Sequence, residues 1–114
     1  MTLISLDENQ QTVSGRFRKA EYFAFMVGDD ITIKQNIHKT SKSNEFFEYF
    51  NTLGVKKVYL KGLGYKTFLK LHSLGIDVYF VQGATNYMDI HAESLVLVDE
   101  KNAEELCSLG HHKK

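Results

Sequence analysis

The spacing of apolar residues changes several times along this chain, and each change marks an element. Between Val55 and Val81 two short apolar runs, Lys57 to Leu60 and Asp77 to Val81, flank a segment with helical spacing from Tyr65 to Leu74. Runs of this kind, rich in Val and Tyr, suit parallel strands covered by helices. In the helical segment Phe68, Leu71 and Gly75 share one side with Leu74 close by, while Lys66, Lys70 and Ser73 take the other. Gly62 and Gly64 punctuate the turn into the helix, and Gly75 stands where its end needs a residue of positive φ. Together they predict one right-handed βαβ unit, around which the remaining elements are arranged.

Ahead of it, Thr2 to Leu6 reads as a strand and DENQQTVSG as a turn or loop. Tyr22 to Val27 and Ile31 to Gln35, joined at Gly28-Asp29-Asp30, read as an antiparallel hairpin. Ser43 or Asn44 is placed to cap a helix from Glu45 to Leu53, closed by Gly54, with Phe46, Phe50 and Leu53 on its buried side. After Val81, Gly83-Ala84-Thr85 reads as a turn, with Thr85 capping a short helix from Asn86 to about His91. The β-branched content of Leu95 to Val98 favours a strand. Asp99 then caps a last helix from Glu100 to Leu109, which Gly110 ends. The expectation is a single α/β domain over residues 1–114: a mixed sheet of about five strands flanked by helices, least specified over the tail, residues 95–114.

Charge and composition narrow the function. Fourteen basic and fourteen acidic residues cancel, which argues against a binder of nucleic acid or anionic membrane that relies on bulk positive charge. A single cysteine, Cys107, excludes an internal disulfide and suits a reducing compartment. The start lacks the basic and apolar regions of a leader, and no apolar run approaches the ~20 residues that span a bilayer. The expected setting is cytoplasmic.

Three groups of residues could carry chemistry. Arg16, Arg18 and Lys19 place three cations within four positions, able to hold a polyanion without covalent ligation; the plainer alternative is a solvated turn around a core-directed Phe17. Gly62-Leu63-Gly64 lies between a strand end and a helix start, where free N–H groups favour an anion, although close helix–sheet packing also explains the glycines. It lacks the third glycine and the Lys-Ser/Thr pair of a nucleotide fingerprint. Cys107, His111 and His112 offer soft ligands for zinc or iron, the alternative being a small buried thiol followed by a frayed basic tail. His38 could lean over a ligand near the strand ends, whereas His72 and His91 read as surface residues. Asp7, Asp29, Asp30 and Asp99 are the carboxylates available for metal-assisted hydrolysis, and Asp29 and Asp30 are better explained by the hairpin turn. No serine occupies a nucleophile-elbow context, so no catalytic residue is assigned and a non-enzyme is expected.

The run from Val13 to Phe23, Asn36, Gly54 to Val58, Lys61 to Gly64, Gly75 to Val78, and Gly83 with Thr85 together, in that order, resemble the dinitrogenase iron-molybdenum cofactor biosynthesis family, which includes NifX and the C-terminal part of NifB. The resemblance spans roughly Ile4 to Ile90 and implies a ribonuclease-H-like motif. It also implies a non-enzymatic carrier of an iron-sulfur or iron-molybdenum cluster precursor, exchanging with cluster donor or acceptor proteins in a nitrogen-fixation context, with a homodimer conceivable. On that implication the cofactor-binding set is Arg16, Arg18, Lys19, Gly62, Gly64 and His38, and Cys107, His111 and His112 are the metal-ligand candidates. The chain departs from the family at the loop, where Arg16 stands in place of a histidine, Arg18 of a glycine and Lys19 of an arginine. The alternative function is a protein-interaction or regulatory module of the same fold without a cluster.

Overall fold

Alternation along the first strand, β1 (Thr2–Leu6), divides the molecule into two sides: Leu3 points to one face, Ile4 and Leu6 to the other. The computed structural model describes residues 1–17, 19–37, 43–62, 65–82, 86–99 and 101. Beyond β1 the elements are β2 (Tyr22–Val27), β3 (Asp30–Gln35), α1 (Ser43–Leu53), β4 (Lys57–Leu60), α2 (Tyr65–Ser73), β5 (Asp77–Val81) and β6 (Leu95–Val98). One six-stranded sheet results, in the order β3-β2-β1-β4-β5-β6. β1, β4 and β5 run parallel; β2 is antiparallel to β1, β3 to β2, and β6 to β5. The mixed sheet flanked by helices is as expected, with Leu95–Val98 supplying a sixth strand.

The main core lies between the helices and the first face. Leu3, Phe23, Val58, Leu60 and Val78 from the sheet meet Phe46, Phe50, Phe68 and Leu71 from α1 and α2, all buried. Complete burial of one such side chain contributes roughly 1.5–3 kcal/mol. Phe47 is buried as well, so α1 is embedded over a wider arc than the expected stripe, while Leu53 at its end is half-buried. The second face carries a smaller cluster of Ile4, Leu6, Val13, Ala24 and Val81, edged by half-buried Met26, Tyr59 and Leu95.

Both helices end in the same way, and for the same reason. Gly54 (φ 77°) and Gly75 (φ 78°) adopt the left-handed conformation. This lets Val55 N–H reach Phe50 O (3.3 Å) and Ile76 N–H reach Leu71 O (3.1 Å), with the shorter Gly54-to-Asn51 and Gly75-to-His72 bonds inside them. These paired bonds satisfy carbonyls that the helix end would leave open, and each brings a buried apolar residue, Val55 or Ile76, onto the core. In the β2–β3 hairpin Val27 pairs with Asp30 across a two-residue loop whose first position, Gly28, has φ 60°. This is the turn chemistry that matches strand twist.

Two expectations shift. α1 starts at Ser43 rather than Glu45, so Ser43 and Asn44 belong to its first turn. The short helix from Asn86 to His91 is instead a 3₁₀ turn, Tyr87–Asp89, followed by a second, Ala92–Ser94. Asn86 caps the first, its Oδ1 accepting Met88 N–H at 2.8 Å. Extended backbone at Ile90 (φ −72°, ψ 130°) ends the turn and takes that side chain to the second-face cluster. Thr85, the expected cap, lies outside the described residues, as does the helix expected after Asp99 except Lys101, whose N–H bonds Asp99 Oδ1 at 2.8 Å. Among the described residues no helix is long and apolar enough to cross a membrane.

Candidate functional site

The site is built where β1 and β4 end. After Leu6 the chain loops out and returns, Asp7 N–H bonding Thr12 O (2.8 Å) and Gln10 N–H bonding Asp7 O (2.9 Å). Asn9 Oδ1 accepts the N–H groups of Gln11 (2.8 Å) and Thr12 (2.9 Å), closing the loop on itself. Val13 then bridges Leu6, and Ser14 N–H bonds Ser5 O at 2.8 Å. Ser14, 2% exposed, folds its hydroxyl onto the next turn: Oγ accepts Arg16 N–H (3.0 Å) and donates to Arg16 O (3.1 Å).

Phe17 pins the middle of this loop. Its ring lies edge-on to Phe46 and Phe50, with centroids 5.5 and 5.6 Å away, and tilted against Phe23 at 6.1 Å. The far end is tied by Asn36, 5% exposed, whose Nδ2 donates to Ala20 O and whose backbone N–H donates to Glu21 O, both at 2.9 Å. Anchors at Ser14, Phe17 and Ala20 leave Arg16 and Lys19 exposed between them.

Gly62 joins the same place from β4. Lys61 N–H reaches Ser14 O at 3.4 Å, and Gly62 lies so close to the Gly15 peptide that any Cβ would overlap the Gly15 carbonyl oxygen. The cation loop and the glycine turn, separate in sequence, are therefore in backbone contact at the carboxyl ends of two parallel strands. That is the end of an open α/β sheet where ligands gather. An open cleft of about 640 Å³ lies between the end of β1 and the start of β2, lined by Asp7, Glu8, Gly15, Arg16, Lys19 and Glu21 together with Ser14; Gly62 supports the loop at Gly15 and is not part of this lining.

No family model and no curated protein matches the chain. Solved structures do match it. The NMR structure of a Thermotoga protein, described as a candidate NifB protein belonging to the DUF35 family, matches with a TM-score of 0.58 at 22% identity, over 74% of this chain and 78% of that one. The crystal structure of a protein designated PH0822 matches with a TM-score of 0.62 at 19% identity, over 87% of this chain and 96% of that one. The chain shares their fold. At these identities the likeness is one of fold alone.

Of the residues singled out from the sequence, the structure brings together Arg16, Lys19 and Gly62. Arg18, Gly64, His38, Cys107, His111 and His112 lie outside the described residues. His72 is exposed near the C-terminal end of α2, its ring stacked on Phe68 (5.4 Å, 24°). His91 and Glu93 form an exposed surface pair, Nδ1 to Oε1 4.0 Å. Asp29 lies in the hairpin loop, as expected, whereas Asp30, expected in the turn, is already the first residue of β3, paired with Val27. Among the described residues no group of three or more His, Cys, Asp or Glu side chains is arranged to hold a metal ion.

Sequence reasoning missed the carboxylates. Glu8 and Glu21 line the cleft beside Arg16 and Lys19, as does Asp7, which was weighed only for hydrolysis. The signal was available in the register: Leu6 pairs with Tyr22, so the residues following β1 and preceding β2, Asp7 and Glu21, must be neighbours. The described lining thus holds three carboxylates against two cations and contains no soft ligand.

Proposed function

We propose that this protein is a non-enzymatic carrier that holds a small anionic metallocluster precursor, of iron-sulfur or iron-molybdenum type, as cargo in the cleft between the end of β1 and the start of β2. The observation behind this reading is the meeting of the cation loop and the glycine turn, two anion-suited elements distant in sequence, through the Gly15–Gly62 contact. Guanidinium, ammonium and loop N–H groups hold such cargo by charge-assisted hydrogen bonds, leaving its own sulfides in place. Arg16 and Lys19 are the described residues for that role; Arg18, Gly64 and His38 extend the set, and Cys107 with His111 and His112 would add soft ligands. Exchange with donor and acceptor proteins completes the cycle of a carrier.

The mixed charge of the cleft favours a second reading, an interaction or regulatory module of the same fold. Asp7, Glu8 and Glu21 oppose a polyanion and suit a partner surface bearing both signs of charge. One experiment separates the two. The protein is purified without oxygen and without a histidine tag, its iron, molybdenum and zinc are measured, and its visible absorption is recorded before and after it meets a cluster donor. A carrier acquires iron and a broad sulfide-to-iron absorption band, and Arg16→Ala with Lys19→Ala reduces retention several-fold while the circular dichroism stays unchanged. A colourless protein that refuses the cluster, or a double variant that retains it fully, overturns the carrier reading.

A further inference from the structure

Among the described residues β3 ends the sheet, and it is exposed along nearly its whole length. Val27 and Asp30 close the two-residue hairpin loop, so Asp30, Thr32 and Lys34 turn their backbone groups toward β2. Asn36, two residues further, follows the same parity by donating to Glu21 O at 2.9 Å. Ile31, Ile33 and Gln35 therefore turn their N–H and C=O groups outward, a row of donors and acceptors of the kind that templates strand pairing.

Monomeric proteins blunt such an edge with charges, a bulge or proline. β3 carries no proline, pairs with β2 without a bulge, and spaces its opposite charges four residues apart, at Asp30 and Lys34. We propose that two copies associate through β3, antiparallel about a two-fold axis at Thr32, to make one sheet continuous across both chains. In that register Asp30 of each copy faces Lys34 of the other, and Thr32 faces Thr32. Ile31 faces Ile33, and those two residues are the ones whose backbone groups point outward, so they exchange hydrogen bonds. A one-residue slip would set outward-facing groups against inward-facing ones. A two-residue slip would part the charges, leaving Lys34 opposite Thr32.

The two faces of the edge agree with this assignment. On the second face Ile31 is 44% exposed beside the half-buried Ile33, and a second copy extends that apolar surface across the axis. On the helix face α1 leaves an open hollow of about 160 Å³ along the edge, walled by Phe25, Val27 and Leu53 and by Asp30, Thr32 and Lys34 of β3. The charged pair forms beside that hollow. The interface is isologous, as the commonest oligomers require.

Sedimentation velocity from micromolar to several hundred micromolar protein tests the proposal. The expected result is a reversible dimer. Lys34→Asp turns both facing pairs into like charges and raises the dissociation constant roughly tenfold or more, as does Asp30→Lys. The double variant Asp30→Lys with Lys34→Asp restores opposite charges in the same register and recovers most of the affinity, a rescue that a folding defect would not give. Because a pair at the axis that exchanges no hydrogen bonds has Cα atoms about 4.5 Å apart, Thr32→Cys in a Cys107→Ser background should oxidise to a disulfide dimer. A chain that is monomeric throughout the range overturns the proposal, as does a dimer indifferent to the single charge changes or a double variant without rescue.

Discussion

Replacing Gly62 with alanine should destabilise the protein through one atom. The added Cβ would overlap the Gly15 carbonyl oxygen and come within 2.9 Å of its carbonyl carbon. Both are backbone atoms, so no rotamer change can relieve the contact. Nor is the Gly15 peptide free to retreat, since Ser14 N–H bonds β1 at Ser5 O and Phe17 is buried among core rings. Overpacking of this kind costs about 1–3 kcal/mol. Alanine also restricts the unfolded chain, which offsets some 0.4–1 kcal/mol of that. The net loss is therefore roughly 1–2 kcal/mol. An unfolding entropy of about 2.1 cal/mol/K per residue gives about 0.24 kcal/mol per degree for a chain of 114 residues, so the midpoint should fall by roughly 4–8 °C. Gly15→Ala is the internal control: nothing lies within 4 Å of its would-be Cβ and its φ is not positive, so it should leave the midpoint unchanged or raise it slightly. Thermal unfolding followed by circular dichroism measures both. A Gly62→Ala midpoint at or above that of Gly15→Ala would refute the close approach of the two loops, and with it the shared site.

Two further substitutions probe local backbone and core chemistry. Gln10 adopts φ 63° at the end of the loop turn, so Gln10→Gly should stabilise by roughly 0.5–1 kcal/mol, read from urea unfolding; a loss of stability would mean the side chain matters more than the strain. Ser5 is completely buried and its Oγ has no hydrogen-bond partner among the described residues, so Ser5→Ala should be neutral or stabilise by up to about 1 kcal/mol. A loss beyond about 1 kcal/mol in the same assay would reveal a partner for that hydroxyl.

The βαβ unit was legible because every signal in it is local. Gly54 and Gly75 sit one residue past the last helical turn, and the paired bonds they permit depend only on nearby carbonyls. The stretch from Asn86 to Ser94 was not, because Ile90 is drawn onto the second face by tertiary packing and a continuous helix gives way to two short turns. Half of the candidate site was legible on the same terms: the cations at Arg16 and Lys19 lie within one four-residue run, and the plainer reading of that run already sent Phe17 to the core. The other half arises from strand pairing. Glu21 reaches Asp7 through the register of β1 and β2, and Gly62 reaches Gly15 because β1 and β4 are parallel neighbours. No local pattern encodes either approach.

The loop's geometry separates the positions that hold it from the positions that present groups. The positions that hold the loop in place, Ser14, Phe17, Ala20 and Asn36, are buried, and each is tied by a hydrogen bond or an aromatic contact. Arg16 and Lys19 fall on exposed positions between those anchors. Exchanging an exposed residue leaves the path of the backbone intact, since it breaks none of these contacts. The loop can therefore keep one trajectory while changing the groups it presents. Removing an anchor instead confounds binding with folding: Phe17→Ala would empty a core position at a cost of about 3–5 kcal/mol, a large part of the 5–15 kcal/mol a domain possesses. Only substitutions at the presented positions separate cargo recognition from stability. If Arg16→Ala with Lys19→Ala unfolds at the same temperature as the native chain but loses the cluster, recognition resides in those side chains. Equal unfolding with equal retention would assign recognition to other groups and leave the anchored loop with a structural role.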